Sequence, residues 1–101
     1  LDGGRAAALT LDWLDEHGFD SLVRRAVVVI NGVRSRDDRT TDRMRHHFER
    51  RCQRVLTVSW DPALAAGAQT SMSSLRRQTR DDLVLVAAAV ADIFREQELR
   101  R

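Results

Sequence analysis

Asn31 and the run Trp60-Asp61-Pro62 are the residues whose types and positions suggest recognition chemistry. Asn31 closes the apolar run Val27-Val28-Val29-Ile30. Its carboxamide both donates and accepts, which matches the exocyclic amine and adjacent ring nitrogen of adenine. An aromatic ring or a proline packs on the flat face of a base, and Trp60 and Pro62 stand at the end of a second apolar run. Each residue also has a plainer explanation. Asn-Gly after a strand is common turn chemistry, because both residues tolerate positive φ. Asp61-Pro62 reads as the start of a helix, and Trp60 as a core aromatic.

Other chemistries are excluded more firmly. All 17 basic residues are arginine. Without a lysine, this chain alone cannot supply a phosphate-binding P-loop, a Schiff base or a lysine nucleophile. His46 and His47 are neighbours, so on a helix they diverge, and His17 is distant; with Cys52 on an apolar stripe, no metal set emerges. There is no G-x-S-x-G elbow to expose a serine nucleophile. Neither a catalytic nor a metal-ligating residue is expected here. The stretch from 34 to 54 is dense in arginine with interleaved acids, the usual pattern of a solvated, ion-paired helix face. As an alternative, a helix over 39–54 would offer Arg43, Arg50, Arg51 and Arg54 to DNA phosphates independently of sequence.

The elements that position these residues follow from periodicity. Residues 5–17 place Ala6, Leu9, Trp13 and Leu14 at three- and four-residue intervals, predicting a helix stopped by Gly18. The run 26–31 is apolar up to Asn31 and rich in β-branched residues, which predicts a strand buried on both faces. A polar loop follows, then a helix with Met44, Phe48 and Cys52 on its stripe and Thr40 or Thr41 as cap. Residues 55–60 form the second strand. Asp61, Pro62 and Gly67 then cap, open and stop a short helix. Thr79 and Asp82 resemble a capping box for a long last helix, whose residues 83–91 are apolar on every side and should be deeply buried.

The order helix, strand, helix, strand, short helix, long helix predicts an α/β fold with a parallel crossover, and about four helices. A chain of 101 residues at 43% hydrophobic and 32% charged is ample for one domain. No apolar run reaches the ~18 to 20 residues needed for a transmembrane segment. One cysteine and no signal-like leader fit a reducing, cytoplasmic setting. Two strands make a poor sheet, so the reading expects either a partial domain, 1–101, completed by a longer protein, or self-association as a homo-oligomer.

The segments "LDWLDEHGFDSLVRRAVVVIN", "DRMRHHFERRCQRVLTVSWDPALAAGA" and "LRRQTRDDLVLVAAAVADIF" resemble the MinD/ParA-like P-loop ATPases. The resemblance is to the C-terminal portion of that domain, in the actinobacterial branch linked to type VII secretion. It implies a partial three-layer parallel sheet of the P-loop type. It also implies that Asn31 contacts adenine while Trp60, Asp61 and Pro62 wall the base, with Ser59 standing where the family commonly has proline. The phosphate loop, its lysines and the magnesium-binding aspartates have no match, so ATP and Mg belong to a parent protein and Leu1 to Gly4 would be a loop after a missing strand. The resemblance further implies ATP-controlled dimerisation and a secretion-system or partitioning partner. The competing reading is a non-catalytic, self-associating interaction module with DNA binding through 39–54.

Overall fold

A computed structural model describes residues 2–34, 38–67 and 71–99. Helix α1 spans Asp2–Glu16 and α2 Asp20–Arg25, followed by strand β1, Val27–Val33. Then come α3, Arg39–Glu49, strand β2, Arg54–Ser59, the short α4, Pro62–Ala65, a 3-10 turn at Met72–Ser74, and α5, Arg77–Leu99. The strands pair in parallel, so the α/β class and the crossover through α3 are as expected. Five α-helices are described, against an expected four or so; the addition is α2, in the segment read as a connection.

Local chemistry accounts for most boundaries. Gly18, at φ 85°, stops α1 while Phe19 N–H donates to the Leu14 carbonyl at 2.8 Å, the six-to-one bond of a helix C-terminal motif. The cap of α3 is Asp38, not Thr40 or Thr41. Its carboxylate accepts from the Thr40 N–H and the Thr41 hydroxyl, both at 3.0 Å. Aspartate reaches two donors where a threonine would have reached one. Asp61 caps α4 and Pro62 opens it, as read. Gly3 and Gly4 lie inside α1, not in a loop. Residues 1, 35–37, 68–70 and 100–101 lie outside the described residues.

On one face of the sheet, Leu11, Val23, Phe48 and Cys52 form a buried cluster against Val28 and Val55. The stripe of α1 that enters it is Ala7, Ala8, Leu11 and Leu14, whereas Leu9 and Trp13 stay exposed. Two apolar stripes were available on that helix, and α2 and α3 cover the one carrying Leu11. Trp13 instead stacks on His17 and Phe19 at the corner, with ring centroids 3.9 and 6.3 Å away. On the other face α5 lies chiefly along β2 and barely over β1, with Val58 and Ala89 buried there.

That asymmetry overturns two expectations. β1 is not buried on both faces, since Val29 is exposed. Nor is the apolar stretch 83–91 deeply buried: Ala89 is, but Val84 is 61% exposed, and Leu85 and Val90 are exposed as well. A single helix laid on two strands offers only one face for burial, whatever its composition.

Candidate functional site

The carboxyl edge of the sheet is built around a register irregularity. Ile30 pairs with Thr57, but the next pair is Val33 with Ser59, so β1 carries one extra residue across Asn31-Gly32. Such a bulge requires an unusual backbone angle, and Gly32 supplies it at φ 73°. The strand therefore does not end on Asn31 but continues to Val33. There the Val33 carbonyl accepts from Trp60 N–H at 2.9 Å, fixing Trp60 at the tip of the pair.

Asp61 secures the turn behind the tryptophan. It is 2% exposed; one carboxylate oxygen accepts from Ala63 N–H and the other from Arg76 N–H, each at 2.9 Å. The Arg76 amide, with the Ala63 amide, the nearby Thr79 hydroxyl and the Arg76 charge, holds the Asp61 carboxyl below the usual carboxylate range in spite of burial. That hydroxyl is fully buried and reaches no partner at full hydrogen-bond geometry. Asp61 thus positions the Trp60 turn through main-chain bonds. Pro62 is exposed as the first residue of α4.

Ser59 and Asp82 close the other side. The Asp82 carboxylate accepts from Ser59 N–H at 2.9 Å and from the Ser59 hydroxyl at 2.8 Å, while its second oxygen accepts from the Gln78 amide at 2.8 Å. These bonds replace the expected capping box: α5 already begins at Arg77, so Thr79 lies within its first turn. They also give Ser59 a purpose, because a proline at this position has no N–H to donate.

Between these supports opens a cleft of about 670 Å3 lined by Arg34, Arg45, Trp60, Arg76 and Asp82, among others. The Arg34 guanidinium lies 4.5 Å from the Trp60 ring centroid and that of Arg76 5.9 Å, both within cation–π range. Arg45 comes from α3, with Asp42 at 3.9 Å. Three arginines and one indole against a carboxylate already engaged make a site for an anion with a flat apolar part.

Asn31 is exposed and does not line this cleft. It borders a separate groove of about 310 Å3, beside β1, with Gly4, Ala7, Val29 and Met44. The tips carrying Asn31 and Trp60 are adjacent on one edge, yet they open into different hollows. Arg51 is not a free cation: it pairs with Asp12 and Asp15 of α1, both at 2.9 Å. Arg43, Arg50 and Arg54 are exposed, but α3 ends at Glu49 and Arg54 starts β2, so the expected helix over 39–54 is interrupted. Cys52 is buried, and burial pushes its thiol up. No trio of histidine, cysteine or carboxylate side chains suited to a metal occurs among the described residues.

Arg34, Arg45, Arg76 and the Ser59–Asp82 pair were not singled out from the sequence. Arg34 follows the first strand directly, so the rule that ligands bind beyond strand carboxyl ends would have found it. Arg76 lies far along the chain from Trp60, and no local spacing marks it.

Fold and cleft together define a small α/β unit with a basic, tryptophan-walled hollow at the carboxyl edge of a parallel strand pair. The chain is similar to the ESX-1 secretion-associated protein EspI of Mycobacterium tuberculosis, in strains CDC 1551 and H37Rv alike, at 34% identity over 97 residues. The match takes in 93% of this chain, which spans about 15% of the length of those curated relatives. No family model matches the chain, and no solved structure matches it. No described helix is long and apolar enough to cross a membrane.

Proposed function

We propose that this chain is the base-side part of a nucleotide-binding α/β domain, similar to the C-terminal portion of a MinD/ParA-like P-loop ATPase, within a secretion-associated protein. The observation that carries it is the indole of Trp60 with two guanidinium groups, of Arg34 and Arg76, within cation–π range in a nucleotide-sized cleft. The likeness to EspI supports a place beside a type VII secretion system, with a component of that system as partner. ATP, abundant in the cytoplasm, has both features the cleft asks for. Its base can replace the Arg34 guanidinium over the indole, freeing Arg34 to pair with phosphate. Base-on-aromatic stacking contributes about 1–3 kcal/mol.

Catalysis is not assigned to this chain, which has no lysine. The magnesium that accompanies ATP finds no carboxylate cluster among the described residues, so it would be held by other parts of a parent protein. Isothermal titration calorimetry with ATP, compared with adenosine and inorganic triphosphate, tests the reading. Trp60→Leu should weaken ATP binding about 5- to 100-fold. Equal binding of ATP by wild type and Trp60→Leu refutes it.

A further inference from the structure

The side of α5 turned away from buried Ala89 carries Arg80, Val84, Ala87, Ala91, Phe94 and Glu98, at intervals that alternate four and three residues. Those five intervals average 3.6 residues, the repeat of the helix itself, so the six side chains share one straight stripe along α5. Within it Val84 is 61% and Phe94 64% exposed, and Ala87, Ala91 and Glu98 are exposed too. The seam is also symmetric about the level of Ala89. Reversed end to end, Arg80 falls opposite Glu98, Val84 opposite Phe94, and Ala87 opposite Ala91.

We propose that α5 is a self-association surface, on which a second copy of this chain lays its own α5 antiparallel about a two-fold axis. Charge selects both the occupant and the direction. In the antiparallel pair each Arg80 meets Glu98 of the other copy, so both ends close on opposite charges. A parallel pair would set Arg80 on Arg80 and Glu98 on Glu98, and like charges disfavour it. At the middle, alanine meets alanine, which lets the axes approach to about 8 Å. The Val84–Phe94 layers fill the space on either side of that waist. A two-fold pairing needs a surface that matches itself, which this seam does. The surface is distinct from the Trp60 cleft, so the proposal stands or falls apart from nucleotide binding.

Sedimentation equilibrium of the full chain over a wide concentration range tests it, with circular dichroism confirming that each variant is folded. A concentration-dependent dimer is expected. Glu98→Arg should raise its dissociation constant about tenfold or more, because two attractive pairs become repulsive, and Arg80→Glu should do the same. The double reversal, Arg80→Glu with Glu98→Arg, should restore the wild-type constant to within about threefold. A chain that stays monomeric throughout overturns the proposal. So does a dimer indifferent to the single reversals, or one the double reversal fails to rescue. Flotation of wild type with phosphatidylcholine vesicles in place of self-association overturns it as well.

Discussion

Replacing Ser59 by proline puts a residue without an N–H into a site that needs a donor. In this structure Ser59 gives Asp82 two bonds, at 2.9 Å from the amide and 2.8 Å from the hydroxyl. Hydrogen bonds to a charged acceptor contribute about 1.5–3 kcal/mol each, and half-burial of both partners favours the lower end. Ser59→Ala, which removes only the hydroxyl, should therefore cost about 1–1.5 kcal/mol. Ser59→Pro removes both donors and should cost about 3 kcal/mol. For a domain of this size those losses lower the melting temperature by about 5 °C and 15 °C respectively. Combining Ser59→Ala with Asp82→Ala should cost about 1 kcal/mol less than the sum of the single changes, since they remove the same bond. Urea unfolding followed by circular dichroism measures all four variants. A Ser59→Pro protein within about 0.5 kcal/mol of wild type would show that the amide bond to Asp82 does not hold this edge together.

Two further outcomes follow from the same edge. The Asp61 carboxyl is held below its ordinary 3.8, so its share of stability is present above that value and lost as pH falls through the lowered folded one. Urea midpoints of wild type measured down the acid limb should fall more steeply there than those of Asp61→Asn, which has no proton to take up; parallel curves would contradict the role. Gly32→Ala should destabilise by about 1–2 kcal/mol through its backbone angle alone. The added Cβ would meet Trp60 no closer than 3.9 Å, so a loss in urea stability without change in the tryptophan fluorescence maximum is expected, and a neutral variant would refute the strain.

The sequence by itself determined the local facts of this protein. Four consecutive β-branched residues favoured a strand, Gly18 and Asp61-Pro62 set helix ends through bonds to near neighbours, and this chain has no lysine to place in a phosphate loop. Which apolar stripe becomes core is a different kind of question, because it depends on what packs against it. α1 offered two stripes, and only the placement of α2 and α3 chose Leu11 over Leu9 and Trp13. The long helix looked buried all round, yet two strands give it one surface to lie on, so Val84 and Phe94 remain in water. The cleft is likewise a tertiary product. Trp60 and Asp61 were visible in the sequence, but the guanidinium of Arg76 reaches the indole only because its amide is tied to Asp61. Asn31 borders a different groove from the Trp60 tip, beside a bulge in the strand register, and register is settled between strands, not within one.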